Sequence, residues 1–238
     1  INAGSGDVTL TDIHGDGTNS TSGSDVDIDG ATIGVQNIGN SSVRDEINAV
    51  NINGTTAVTL NKPIYTGGAN NSIDIVVNSG SGTLALAADI VLDSLDAGNG
   101  NGAITITGGV SGDGNGPFNL DILSGTGLAT ITGNIGVTNA LSSLDINAVD
   151  ASTNTGGVTL GGNIGVGTTS GTTPGAGIVN LGNDNTSGVI TLSGVSLNTS
   201  GALTLSSSGG YAISGTTNAG TTIVTSGDAV TFGTSTIT

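Results

Sequence analysis

Short apolar–polar–apolar triplets run along the whole chain, separated by stretches rich in Gly, Asn, Asp and Ser. One set is centred on Thr: Val8-Thr9-Leu10, Val58-Thr59-Leu60, Ile104-Thr105-Ile106, Ala129-Thr130-Ile131, Val158-Thr159-Leu160, Ile190-Thr191-Leu192 and Val230-Thr231-Phe232, with Leu84-Ala85-Leu86 as a variant. A second set falls between members of the first: Val26-Asp27-Ile28, Val50-Asn51-Ile52, Ile73-Asp74-Ile75, Leu92-Asp93-Ser94, Leu120-Asp121-Ile122, Leu144-Asp145-Ile146, Val179-Asn180-Leu181 and Leu203-Thr204-Leu205. Strict alternation is the mark of a strand with one buried face. No stretch shows the period of a helix. The Thr-centred set recurs every ~25 residues, the length of one supersecondary repeat.

The repetition reaches into the corners. Residues 157–166, GVTLGGNIGV, restate residues 128–137, LATITGNIGV. Gly and Asn supply the backbone freedom that such tight corners need. The pattern predicts an all-β fold, a right-handed parallel β-solenoid of about ten coils of roughly 25 residues each, forming a single domain over residues 1–238. Val, Ile and Leu then stack inside. Outside run a Thr column and an acidic column of Asp27, Asn51, Asp74, Asp93, Asp121, Asp145 and Asn180. At ~4.8 Å per coil the rod is on the order of 50 Å long. A hairpin-built sandwich also spaces short strands evenly, but aromatic core residues would be expected, and this chain has only Tyr65, Phe118, Tyr211 and Phe232.

Composition narrows the function. The 238 residues include 44 Gly, no Cys and no Met, and only 8% are charged. Eighteen acidic side chains face Arg44 and Lys62 alone, giving a net charge of −16. That argues strongly against nucleic acid and anionic membrane as partners, since both need basic patches. No apolar run reaches the ~20 residues of a membrane span. The lack of Met predicts a processed or internal piece of a longer precursor. Neither INAGSGDVTLTDI at the start nor AVTFGTSTIT at the end, which has no charge after Asp228, reads as a capping helix or charged terminal strand. This leads to the expectation that copies stack end to end, or that further coils of the same polypeptide continue the rod.

Within this frame, phrases such as SLDINAVDASTNTGGVTLGGNIGV and SGALTLSSSGG resemble bacterial surface β-solenoids, the filamentous-haemagglutinin-like exoproteins and β-strand-repeat adhesins. The resemblance is one of style, rich in Gly, Ser, Thr and Asn and poor in Lys and Arg. It implies an extracellular, cell-surface rod serving adhesion, a filament or a matrix, with host-surface or matrix glycans as partners.

The residues offer little catalytic material. His14 is the sole histidine, so a His-based metal centre or a Ser-His-Asp triad would have to use it, and TDIHGDGTN reads as a loop. The chain is therefore expected not to be an enzyme. The alternative is a carbohydrate-active β-helix hydrolase or lyase, for which a cleft lined by Asp pairs would speak. Asp25, Asp27 and Asp29 in GSDVDIDG share one strand face, and with almost no cation to offset them they are candidate Ca²⁺ ligands. The loops HGDGTN, SGDGNGP and LGNDNTSG resemble calcium turns without matching a calcium repeat. Ice binding by a Thr column is also considered, but Ala85 interrupts that column. Asn-x-Ser/Thr triplets begin at Asn19, Asn40, Asn53, Asn70, Asn185 and Asn198 and are potential glycan acceptors.

Overall fold

The computed structural model describes residues 1–14, 24–41, 47–67, 71–80, 82–95, 102–148, 155–165, 174–214, 222–224 and 230–232. Among the described residues every strand pairing is parallel, and each coil lies on the one before it. The chain is a parallel β-solenoid with three sides. A coil crosses them in order, for instance Val26–Ile28 on the first side, Ile33–Val35 on the second and Ile38 on the third. Among the described residues the only helical turn is Asn78–Gly80, and no helix is long and apolar enough to cross a membrane.

The core consists of columns of like residues. On the second side the register runs Val8, Ile33, Val58, Leu84, Val110, Ile135, Ile164, Leu197 and Ile223. On the third it runs Ile13, Ile38, Ile64, Leu92, Ile122, Ile146, Leu181, Leu205 and Phe232. Nearly all of these side chains are buried in one continuous cluster. Each such burial contributes about 1.5–3 kcal/mol. The repeated corner of the sequence is a structural repeat: Ala129, Thr130 and Ile131 lie under Val158, Thr159 and Leu160, and Ile135 lies under Ile164.

About seven turns are complete on all three sides, fewer than the ten expected. The Thr-centred triplets are not one column. Thr9, Thr59 and Ala85 stand on the second side, whereas Thr105, Thr130, Thr159 and Thr191 stand on the first and Thr231 on the third. The acidic set divides too. Asp27, Asn51 and Asp74 are on the first side, with Thr105 next above them, while Asp121, Asp145 and Asn180 are on the third. An apolar–polar–apolar triplet buries two side chains on any side, so it does not reveal which side it occupies. Asp93 leaves the column altogether. The outward residue of that strand is Val91, paired with Asp121, and Asp93 is buried at the following corner.

Two features keep the coils in step. At the corners flanking the first side, glycines stack: a Cβ on Gly156 would overlap the carbonyl of Gly127, and one on Gly162 would overlap the backbone of Gly133. Just beyond the third side, a buried polar series climbs the inside of the corner: Thr66, Ser94, Ser124, Asn147, Asn183 and Ser207. Asn147 donates through Nδ2 to Ser124 Oγ at 2.9 Å and to the Gly156 carbonyl at 3.2 Å, and Asn183 Nδ2 donates to the Asn147 carbonyl at 2.6 Å. Ser207 Oγ donates to the Gly188 carbonyl at 2.7 Å. Apart from Thr66, whose Oγ1 has no hydrogen-bond partner among the described residues, these polar side chains tie their corners to neighbouring coils.

Two predictions follow from this packing. Ile146→Asp places a carboxylate in a fully buried position and should cost several kcal/mol, on the order of 3 or more, whereas Asp145→Asn, one residue away and partly exposed, should be close to neutral by urea denaturation. Gly156→Ala should cost about 1–3 kcal/mol through overpacking. Gly34→Thr, whose added Cβ meets nothing within 4 Å on the outer second side, should be neutral or stabilising.

Candidate functional site: an acidic groove on the third side

The outward column of the third side ascends Asp121, Asp145, Asn180, Thr204, Thr231. Beside it the chain turns the corner through Leu123, Ala148, Gly182, Ser206 and Asn183, whose side chain is buried, and Asp184 stands on the rim. Together these residues line a groove of about 560 Å³. Its polar groups are fixed to one another. Asn180 Nδ2 donates to Asp145 Oδ1 at 2.6 Å, and Ser206 Oγ donates to Asp184 Oδ1 at 2.7 Å. The rim loop is closed on itself, with the Asn183 N–H donating to Thr186 Oγ1 and the Asn185 N–H to Asn183 Oδ1.

Asp121 sits directly against Asp145 in the ladder. Its carboxyl is held above the ordinary aspartate value, first by burial and then by the negative charges of Asp145 and Asp89. Asp89 is anchored by accepting the Asn119 N–H at 2.9 Å. On the first side, burial also raises Asp74, whose Oδ1 has no hydrogen-bond partner among the described residues. Asp74 lines a second hollow of about 560 Å³ with Asp27, Asn51 and Asn53.

The expected metal residues are placed as follows. Asp25, Asp27 and Asp29 do share the outer face of Ser24–Ile38. Each accepts an amide from the coil above: Asn48 Nδ2 to Asp25 at 2.9 Å, Asn51 Nδ2 to Asp27 at 2.6 Å and Asn53 Nδ2 to Asp29 at 3.3 Å. Among the described residues no group of three or more His, Cys, Asp or Glu side chains is gathered as for a metal ion. His14 is exposed; most of HGDGTN, together with Arg44, Asn19 and Asn70, lies outside the described residues. In SGDGNGP, Asp113 accepts from the backbone N–H and the Nδ2 of Asn115, at 2.9 and 2.6 Å. Asn198 is buried, which removes it as an accessible glycan acceptor. The Thr column interrupted by Ala85 in the sequence is unbroken on the first side over Thr105, Thr130, Thr159 and Thr191.

Sequence reasoning placed Asp121, Asp145 and Asn180 on one face and missed the groove. Asp184 and the corner residues that shape it lie in a loop whose path only the register of the coils reveals. No family model, curated protein or solved structure matches the chain.

A pH dependence follows from Asp121. It holds its proton more tightly folded than unfolded, so its contribution to stability is complete below the unfolded-state pKa and is lost as pH rises through the folded value. Melting temperature should therefore climb as pH is lowered from 7 toward the aspartate range. Asp121→Asn should raise the melting temperature at pH 7, by on the order of 2 °C, and flatten that climb, both read by circular dichroism.

Proposed function

We propose that the protein is an extracellular structural rod that presents its sides for adhesion or matrix contact. The observation that carries this reading is the three-sided parallel ladder, whose inside is an apolar core with a buried polar series at one corner and whose outside is Thr, Asn, Ser and Asp repeated at the spacing of the coils. Such a body has length and surface but little interior to spare, which suits display and spacing. The acidity argues against nucleic-acid and anionic-lipid partners. The likeness to haemagglutinin-type exoproteins and strand-repeat adhesins belongs to the proposal and is one of pattern alone. So does end-to-end continuation, because a parallel ladder accepts a further coil, from the same polypeptide or another copy, wherever an edge strand is open.

Calcium at Asp25, Asp27 and Asp29 is a separate part of the proposal, supported by three carboxylates on one outer face. Calorimetric titration into chelator-treated protein decides it: heat with a rise in melting temperature supports the ion, and neither removes it. A carbohydrate-active enzyme is the second reading, favoured by the juxtaposed Asp121 and Asp145 in a groove. Release of reducing ends from a polysaccharide, lost in Asp145→Asn, would favour that reading over a purely structural one.

The main reading is tested by antibody labelling of intact against permeabilised source cells, together with solution scattering. Surface labelling and an elongated particle at least ~40 Å long are expected. Labelling confined to permeabilised cells would overturn it.

A further inference from the structure

We infer that the groove on the third side is a binding site for a polysaccharide without acidic groups, laid along the rod axis. The inference rests on the reading of the chain as an extracellular rod and names what one of its sides would hold.

What the groove can recognise is set by its side chains. On the side of a solenoid each backbone N–H and C=O is directed to the coil above or below, so a peptide strand finds no open edge to pair with. Recognition must come from side chains. Those on offer are two carboxylates, an amide and two hydroxyls in one straight column, Asp121, Asp145, Asn180, Thr204 and Thr231, with Asp184 on the rim. Ionised carboxylates only accept hydrogen bonds, whereas the amide and hydroxyls both donate and accept. A ligand rich in hydroxyl groups satisfies the whole set; an apolar ligand satisfies none of it. Phosphate, sulfate and uronate polymers are repelled by the acids.

The dimensions point to a chain. Four coil-to-coil steps separate Asp121 from Thr231, about 19 Å at ~4.8 Å per step. Polar groups therefore recur at a spacing close to the length of one pyranose ring in an extended glycan. Leu123 and Ala148 give the wall a short apolar strip against which ring C–H faces can lie. The column is also organised before any ligand arrives, because its residues sit on hydrogen-bonded strands, Asn180 holds Asp145, and Ser206 holds Asp184. Preorganised polar groups lose little freedom on binding.

The test uses the whole chain and defined oligosaccharides: cello-oligomers, chito-oligomers with and without N-acetyl groups, and oligogalacturonate as the acidic counterpart. Calorimetry or ligand-observed magnetic resonance should show binding of at least one non-acidic series, stronger for tetramers and longer than for dimers, and none of oligogalacturonate. Asp145→Asn should weaken binding roughly tenfold, the worth of a hydrogen bond to a charged group. Thr204→Arg, which fills the groove, should abolish it. Thr159→Arg places the same side chain at the matching outward position of the first side and should leave binding unchanged, which separates loss of the site from loss of the fold. The inference is overturned if no non-acidic series binds, if oligogalacturonate binds as well, or if Thr159→Arg is as harmful as Thr204→Arg. Such a result leaves the rod reading untouched, since cell labelling and scattering decide that without reference to sugars.

Discussion

The parallel, in-register stacking of one coil on the next is the constraint from which the rest of the molecule follows. It holds the backbone amides of each side in ladders and forces like side chains into columns. The inner columns are then apolar, or polar with their groups partnered, Thr66 Oγ1 being the exception among the described residues. Packing density in such an interior leaves little tolerance, because a neighbour sits immediately above and below each side chain. The glycines at the corners answer the same constraint: where two coils turn together, a Cβ on Gly156 would run into the backbone of Gly127 and Gly125.

Within that frame the buried corner series fixes what the apolar columns leave loose. Ile, Val and Leu contacts are non-directional and tolerate a coil sliding along its side by a small amount. The bonds from Asn147 to Ser124 and Gly156, and from Asn183 to Asn147, do not. They join residues 9 to 36 apart in sequence. Contacts of this range link each coil to its neighbours alone, so stability accumulates coil by coil, as in other repeat architectures.

Much of the fold was legible in the triplets. Alternation identified strands, recurrence identified the solenoid, and the restated corner at 128–137 and 157–166 gave two neighbouring coils correctly. The side on which a triplet lies was not legible. Thr59 and Thr105 have the same local pattern, yet they sit on different sides, because the corner and strand lengths between them determine the path and carry no periodic signal. The acidic groove was half legible for the same reason. The pattern gathered Asp121, Asp145 and Asn180, but Asp93 was counted among them, although it turns into the corner. The buried Ser and Asn residues look like ordinary loop residues in the sequence; their signal is a polar residue one or two positions after the last inner apolar residue of the third side, as in Ile122–Ser124 and Leu205–Ser207.

The outward columns change character partway along the rod. On the first side Asp27, Asn51 and Asp74 give way to Thr105 and a run of threonines, while carboxylates reappear around the circumference on the third side at Asp121. The interior shows no such change. Surface identity is thus free to drift in azimuth from coil to coil without penalty to the core, so one inherited scaffold can be rewritten on its outside many times over. A body approaching from one compass direction meets acid low on the shaft and hydroxyls higher up; from another direction the acid stands at mid-height. Position on this molecule is therefore specified by two coordinates, altitude and bearing.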